Sequence, residues 1–294
     1  MALLLAIDIG TSSAKAVLFD PDAGKILAIA GEEYPLHQPT AERAEQNPAD
    51  WWLSTLSVVG ECLEKSGRRD IAAIGLTGQM HGTVLLDAKQ NVLHPAIIWA
   101  DSRSTASSQW MIDKLGADKY TSIAGTLPAV GFMGSTLVWL EQNQPDLMDR
   151  TRHVLLPKDY VRLKLTGEIA TDISDASATG LFDITQRTWS KTILNAVLLR
   201  ESILPTVLES TAIAGRLTPN AADALGLTAG IPVIAGCADQ PAQAIASGLI
   251  APGLASVTTG TGGQVCVPIK LEEGQPIPTD PRLHVFNHAT RDMY

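Results

Sequence analysis

Apolar residues recur along the chain in short runs that end in polar turns. Residues 4–9 and 14–19 are two such runs, separated by a tight Asp-x-Gly-Thr-Ser-Ser turn. This pattern predicts two antiparallel strands, and residues 25–30 after a Pro-Asp-Ala-Gly turn predict a third. Residues 48–65 have apolar positions three and four apart. That spacing predicts a helix with one face packed on the sheet.

Three later apolar runs end in polar segments. Residues 71–76 lead into Thr-Gly-Gln-Met-His-Gly, residues 95–99 into Ala-Asp-Ser-Arg, and residues 232–238 into Asp239. Ligands of open α/β sheets bind at the carboxyl ends of strands. Asp239 also precedes a small-residue helix predicted over 241–247, so it is either a helix N-cap or a catalytic acid or base.

The middle of the chain has a mainly helical pattern. Helices are predicted over residues 104–115 and 135–142, and a strand over 153–157 leads into a helix over 158–165. Residues 171–179 are rich in Asp, Ser and Thr and predict a loop. Its side chains either line a pocket or, as is commoner for such a segment, are solvated.

Two loops of similar design lie far apart in the chain. The first contains Thr11, Ser12 and Lys15, and the second, within residues 254–267, reads Thr-Gly-Thr-Gly-Gly. Their amides, hydroxyls and lysine can donate to a small anionic group, with Asp8 placed to hold Mg²⁺ beside it. Facing each other across a cleft, the loops would clamp a polyphosphate. For the first loop alone, a serine-rich hairpin turn is an equal alternative.

Composition narrows the class of protein. The chain has 294 residues, of which 45% are hydrophobic, and length alone favours about two domains. The net charge of -9 argues against nucleic acid or an anionic membrane as a partner. The apolar start is too short for a signal peptide or a membrane span, which predicts a cytoplasmic protein. The three widely spaced cysteines favour reduced thiols over disulfides or a zinc site.

Several segments together resemble the FGGY carbohydrate kinases. They are residues 8–15, 78–82, 98–103, 155–160 and 259–262, together with Asp239. Gly-Gln-Met-His-Gly is the most specific of them, because glycerol and gluconate kinases have other residues there. The resemblance implies an α/β fold of the ribonuclease H-like class shared by actin, sugar kinases and Hsp70. It implies a mixed sheet with flanking helices, and sugar and ATP in a cleft between two domains.

The resemblance also implies roles for individual residues. Asp239 corresponds to the general base that takes the proton from the sugar hydroxyl, and Asp8 to the acid near Mg²⁺. The residues expected to contact sugar are Gln79, Met80, His81, Trp99, Asp101 and Arg103. The residues expected to contact the phosphates of ATP are Thr11, Ser12, Lys15, Gly260, Thr261 and Gly262.

The implied reaction is ATP-dependent phosphorylation of a ketopentose, with D-xylulose as the first candidate. Another polyol or ketose, and a non-catalytic sugar-binding relative, are the alternatives. Two sites depart from the family pattern. Ala100 replaces an Asn that is frequent in family members, and Gln240 and Pro241 replace a frequent Asn and Ala. The resemblance therefore determines the identity of the sugar less well than it determines the kinase class. A homodimer is an open alternative for the assembly.

The resemblance bears on domain organisation as well. An Ala-Pro-Gly turn follows residue 250, which predicts a sugar-binding domain over 1–250 and the beginning of a nucleotide-binding domain over 251–294. Family members continue further, so we expect a fragment that shows no turnover by itself. Residues 283–288 predict a strand with His284 and His288 on one face, which fits packing or surface residues better than a metal site.

Overall fold

The structure is a computed structural model that describes residues 2–259, 263–272 and 275–294. The strands in it are β1 (Leu3–Ile9), β2 (Ser13–Asp20), β3 (Lys25–Glu33), β4 (Glu45–Gln46), β5 (Ile71–Gly78), β6 (Val84–Leu86), β7 (Ala96–Ile97), β8 (His153–Leu155), β9 (Ala170–Asp172), β10 (Phe182–Asp183), β11 (Thr188–Trp189), β12 (Thr206–Leu208), β13 (Ile213–Arg216), β14 (Pro232–Ile234), β15 (Cys237–Ala238), β16 (Ser256–Thr259) and β17 (Gly263–Cys266). The helices are α1 (Pro48–Ser66), α2 (Thr105–Leu115), α3 (Ala117–Ala124), α4 (Met133–Asn143), α5 (Pro145–Arg150), α6 (Pro157–Thr166), α7 (Ile173–Ser177), α8 (Lys191–Ala196), α9 (Pro219–Leu225) and α10 (Asp239–Ala246), with a 3-10 turn at Glu201–Ile203.

The main sheet is mixed, as the sequence predicts. Strands β1, β2 and β3 form the antiparallel meander, and β5 pairs with the other edge of β1 in parallel. Beyond β5 lie β14 and β15, both parallel to it, and β13 closes that edge antiparallel to β14. The carboxyl ends of β1, β5 and β15 therefore lie side by side.

One face of this sheet is covered by α1. Alternate residues of β1, from Leu3 to Ile9, are fully buried, because successive side chains of a strand point to opposite faces. Helix α1 packs against β2 and β3. It begins where the Asn47 side chain accepts from the amide of Ala49, and it ends at Gly67, whose φ is 65°. These caps explain why the predicted helix is confirmed almost to the residue.

A second core lies among the helices of the insert. Helices α2, α3, α4 and α5 contribute buried apolar side chains to it, as does α7. Helix α3 is absent from the sequence prediction, although Ala117, Tyr120, Ile123 and Ala124 recur at helical spacing in its eight residues. Ile277 and Val285 from the end of the chain pack into the same core. None of the helices in the described ranges is both long and apolar enough to span a membrane.

Three local predictions are wrong. Residues 171–179 are not a solvated loop: they form the end of β9 and helix α7, and Asp172 and Asp175 are fully buried beside basic residues of α6. Residues 283–288 form no strand: Val285 N donates to Gly125 O in a loop, and His288 N donates to Met293 O near the end of the chain. Asp239 is not an N-cap: Ala238 holds that position and Asp239 begins α10.

Candidate active site

Two acidic residues meet at the carboxyl edge of the main sheet. Asp8 of β1 lies beside Thr77 of β5, which lies beside Cys237 of β15. Asp239 follows β15 directly, as the first residue of α10. Adjacent strands are about 4.8 Å apart, so one intervening strand brings Asp8 and Asp239 to a common site.

Three oxygens at this edge lack protein partners among the residues that the structure describes. They are Oδ1 of Asp8, Oγ1 of Thr77 and Oδ1 of Asp239, all of them buried. Buried polar atoms in folded proteins nearly always have a partner, so a group of exceptions on neighbouring strands needs an explanation. A bound ligand that donates to these oxygens, or a cation that they coordinate, supplies one.

Burial controls the ionisation of both acids. It raises the pKa of Asp239 to about 6, with the charge of Asp8 acting in the same direction and the amide of Gln240 opposing it. Burial also raises the pKa of Asp8, against the pull of Lys15, whose Nζ lies 3.6 Å from Oδ2. A carboxylate with a pKa near 6 is mostly ionised at neutral pH and still accepts a proton readily. Asp239 therefore has the properties of a general base.

Two glycines let the strands approach closely behind the site. A Cβ on Gly236, whose φ is 81°, would lie 2.1 Å from the carbonyl oxygen of Leu76. A Cβ on Gly78 would lie 2.9 Å from the carbonyl oxygen of Ile9. Because no side chain fits there, the backbone of β15 sits directly against β5, and the position of Asp239 follows from that contact.

The first Ser/Thr loop is held from two sides. Trp99 Nε1 donates to Thr11 Oγ1 at 2.9 Å, and the Gln46 side chain donates to Thr11 O at 2.7 Å. Ser12 and Lys15 are exposed, so their donors are open to a ligand. The matching residues of the second loop, Gly260, Thr261 and Gly262, lie outside the described residues; the flanking β16 and β17 pair as the predicted hairpin.

The Gln-Met-His segment faces the same edge. Gln79 donates to Gln46 Oε1 at 2.8 Å, while its own Oε1 is buried without a partner. Met80 packs against Ala238, the neighbour of Asp239. The segment therefore lies near Asp239, and its contact with sugar stays a prediction.

His81 is held in one orientation. Its φ is 68°, unusual for a residue with a Cβ, and its ring stacks on Phe132 at 4.0 Å between centroids. Nδ1 lies 2.9 Å from the carbonyl oxygen of Ala178, which only accepts, so Nδ1 carries the proton. Burial lowers the pKa of His81 to about 4, and the ring is neutral at pH 7. Nε2 is therefore left as a hydrogen-bond acceptor.

Asp101 and Arg103 form a buried ion pair instead of an open pair of ligands. Nε and Nη2 of Arg103 donate to the two carboxylate oxygens of Asp101 at 2.8 and 2.7 Å, and Nη2 also contacts Glu45. Asp101 additionally accepts from the amide of Ala44. Only Nη1 of Arg103 is without a partner. The pair thus stabilises the turn that follows Trp99, and sugar contact by either residue stays a prediction.

A cluster of buried charges below the edge was missed by the sequence analysis. Nζ of Lys158 lies 2.7, 2.9 and 2.8 Å from Asp159, Asp172 and Asp175, and Arg162 donates to Asp159 at 2.8 Å. Lys158 and Arg162 are four apart, which places both on one face of α6. The acidic residues of segment 171–179, which follow α6 in the chain, are the signal that could have predicted this ion pairing.

Asp8 offers a suitable ligand for Mg²⁺. Among the residues that the structure describes, no cluster of three His, Cys, Asp or Glu side chains forms a protein-only metal site. Mg²⁺ at phosphoryl-transfer sites is held by one or two carboxylates, with water and substrate phosphates completing its shell. The unpartnered Oδ1 of Asp8, next to the first Ser/Thr loop, fits that donor set.

Comparison with known families agrees with this geometry. Residues 3–246 match the FGGY family of carbohydrate kinases, N-terminal domain. The chain belongs to this family, and the expected ribonuclease H-like sugar-kinase fold is confirmed.

Individual relatives are xylulose kinases. The chain is 36% identical to that of Bacillus subtilis (strain 168) over 100% of its own length and 35% identical to that of Escherichia coli (strain K12) over 98%. The crystal structure of xylulose kinase from Rhodospirillum rubrum superimposes with a TM-score of 0.93 at 28% identity, covering 99% of this chain and 59% of that one. The chain spans 58% of the length of both curated relatives.

Proposed function

We propose that the protein containing this chain transfers the γ-phosphoryl group of ATP to a hydroxyl of a ketopentose, D-xylulose being the first candidate. The observation that carries the proposal is the partly buried Asp239 carboxylate beside Asp8, with a raised pKa and a buried Oδ1 that has no partner among the described residues. The names of the relatives support the sugar. The end of the family match at residue 246 supports a domain boundary near residue 250.

In the proposed reaction, Asp239 accepts the proton of the attacking sugar hydroxyl through its free Oδ1. The hydroxyl oxygen forms a bond to the γ-phosphorus while the bond from that phosphorus to the bridging oxygen of ADP breaks. Phosphoryl transfer needs mainly positioning and charge stabilisation, so a single base within hydrogen-bond reach suffices. Mg²⁺, held by Asp8, would neutralise charge on the phosphate oxygens. Ser12, Lys15 and the Thr11 hydroxyl would donate to those oxygens.

Sugar recognition follows from the acceptors at the edge. Oε1 of Gln79 has no donor among the described residues, and it would accept from one sugar hydroxyl while Nε2 of His81, the unprotonated ring nitrogen, would accept from a second. Nη1 of Arg103 is a free donor, and the half-exposed ring of Trp99 offers an apolar surface. A polyol with hydroxyls on successive carbons matches this set of groups.

Substrate profiling tests the proposal. The full-length gene product would be assayed for ADP release with D-xylulose, D-ribulose, D-fructose and glycerol, with Asp239→Asn in parallel. We expect the highest kcat/KM for D-xylulose and near-complete loss in the variant. Faster turnover of another of these compounds would reassign the substrate. Sugar binding without ADP release from any of them would indicate a non-catalytic relative.

A further inference from the structure

The backbone segment 235–238 leads into Asp239. Side chains form hydrogen bonds with it at both of its ends. The carbonyl oxygen of Ala235 accepts from Nη1 of Arg162 at 2.7 Å, and the amide of Ala238 donates to Oγ of Ser174 at 3.1 Å. Because Ala238 directly precedes Asp239, the orientation of its peptide determines where the Asp239 carboxylate lies.

Ser174 is itself held in one rotamer. Its hydroxyl donates to Oδ2 of Asp172 at 2.6 Å, so its lone pairs are left for the amide of Ala238. The same carboxylate oxygen accepts from the amide of Ser174 at 2.9 Å and from Ser210 Oγ at 2.7 Å. Three donors on one oxygen leave Asp172 little freedom to turn.

Lys158 connects the Arg162 contact and the Ser174 contact in one cluster of ion pairs. Its Nζ lies 2.9 Å from Asp172, which orients Ser174, and 2.7 Å from Asp159, which accepts from Arg162. Both ends of segment 235–238 are thus tied to the same buried ammonium group.

The energetics of such a cluster favour a positioning role. Removing several charges from water costs free energy that pairing only partly restores, so buried ion pairs are weak contributors to stability. Buried hydrogen bonds do, however, fix the arrangement of the groups they join, as those from Arg162 to Ala235 O and from Ala238 N to Ser174 do here. Burial raises the pKa of Asp175 to about 8, and with that acid protonated the cluster has equal numbers of positive and negative charges.

We propose that Ser174, oriented by Asp172 and Lys158, is a positioning residue for Asp239. This inference rests on the proposed function, in which Asp239 is the general base. It assigns to the buried cluster a task in the reaction: holding the carboxylate of the base at the distance and angle that the attacking hydroxyl requires.

The matched variants are Ser174→Ala and Ser177→Ala. Both serines are fully buried in α7 and each accepts one backbone amide, but Ser177 accepts from Asn287 where Ser174 accepts from Ala238. In the full-length gene product, we expect Ser174→Ala to lower kcat about 10-fold with little change in sugar KM, because small misplacements of a reacting group are costly. Ser177→Ala should keep kcat within about twofold, and Ser174→Thr, which retains the hydroxyl, should recover kcat.

Amide hydrogen exchange of the 294-residue chain gives a readout independent of activity. The amide of Ala238 should exchange about 5-fold faster or more in Ser174→Ala than in Ser177→Ala, since it loses its acceptor. Equal kcat and equal exchange in the two variants would overturn the positioning role, whether or not Ser174→Thr folds. A wild-type protein without kinase activity, or a fully active Asp239→Asn, would instead overturn the proposed function, and the exchange result would still report on segment 235–238.

Discussion

Two groups of buried carboxylates lie close to the same sheet, and they differ in how they are paired. Below the edge, Asp159, Asp172 and Asp175 each place an oxygen within 2.9 Å of the Lys158 ammonium. At the edge, Asp239 has no ion pair in the part of the chain that the structure describes, and one oxygen lacks any partner. The two groups therefore differ in their countercharge: the cluster contains a buried cation, although Oδ2 of Asp159 and Oδ1 of Asp175 accept no hydrogen bond within the described residues, whereas Asp239 has no cation beside it there.

Replacing the base should have the largest effect on the reaction. Asp239→Ala in the full-length gene product is expected to lower kcat about 10²–10⁴-fold, the range typical of a positioned general base. Sugar binding, measured by calorimetry, should stay within a few-fold of wild type because the carboxylate acts mainly on the reacting proton. A variant that retains more than about a tenth of the rate would show that Asp239 is not the base.

Removing the Lys158 ammonium from the buried cluster should lower the free energy of unfolding. Lys158→Met leaves Asp172 and Asp175 without their cation, while Asp159 keeps Arg162, and is expected to destabilise the chain by about 3–5 kcal/mol, measured by urea unfolding. Lys164→Met is the matched control: it lies on the same helix but is exposed, so it should cost less than about 1 kcal/mol. Equal losses in the two variants would contradict the distinction between the two groups.

A smaller effect is expected on the sugar side of the edge. His81→Ala removes the Nε2 acceptor and should weaken ketopentose binding by about 1–3 kcal/mol, while ATP binding is unchanged. His37→Ala, at an exposed position, serves as the control for both titrations. Unchanged sugar affinity in His81→Ala would remove His81 from the site.

The smallest expected effect is the change of kcat/KM with pH. In the proposed reaction Asp239 can accept a proton only when ionised, and burial raises its pKa to about 6. We therefore expect kcat/KM to fall as the pH drops below about 6, and to level off above it. Sugar binding through His81 should not change between pH 5 and 8, because the pKa of that ring is lowered to about 4. An acid limb centred near pH 4 would mean that burial does not raise the pKa of Asp239.

Much of the fold was predictable because it depends on local periodicity. Apolar residues alternate along β1 and β2, and they recur three and four apart along α1. These patterns indicate which face of each element is buried. The same patterns mark where strands end, so the sequence alone placed Asp8, Gln79 and Asp239 at strand ends. Turn residues between the first three strands indicated that the strands form an antiparallel meander.

The tertiary structure decided which polar residues are paired. Residues 171–179 look solvated in the sequence, but they are buried in the fold, where Lys158 of another helix supplies countercharge to Asp172 and Asp175. The pairing of Asp101 with Arg103, the protonated nitrogen of His81 and the unpartnered oxygen of Asp239 likewise depend on which groups the fold brings within hydrogen-bond distance. A local pattern records how polar a segment is, whereas the desolvation of a charge is offset by partners that can lie anywhere along the chain.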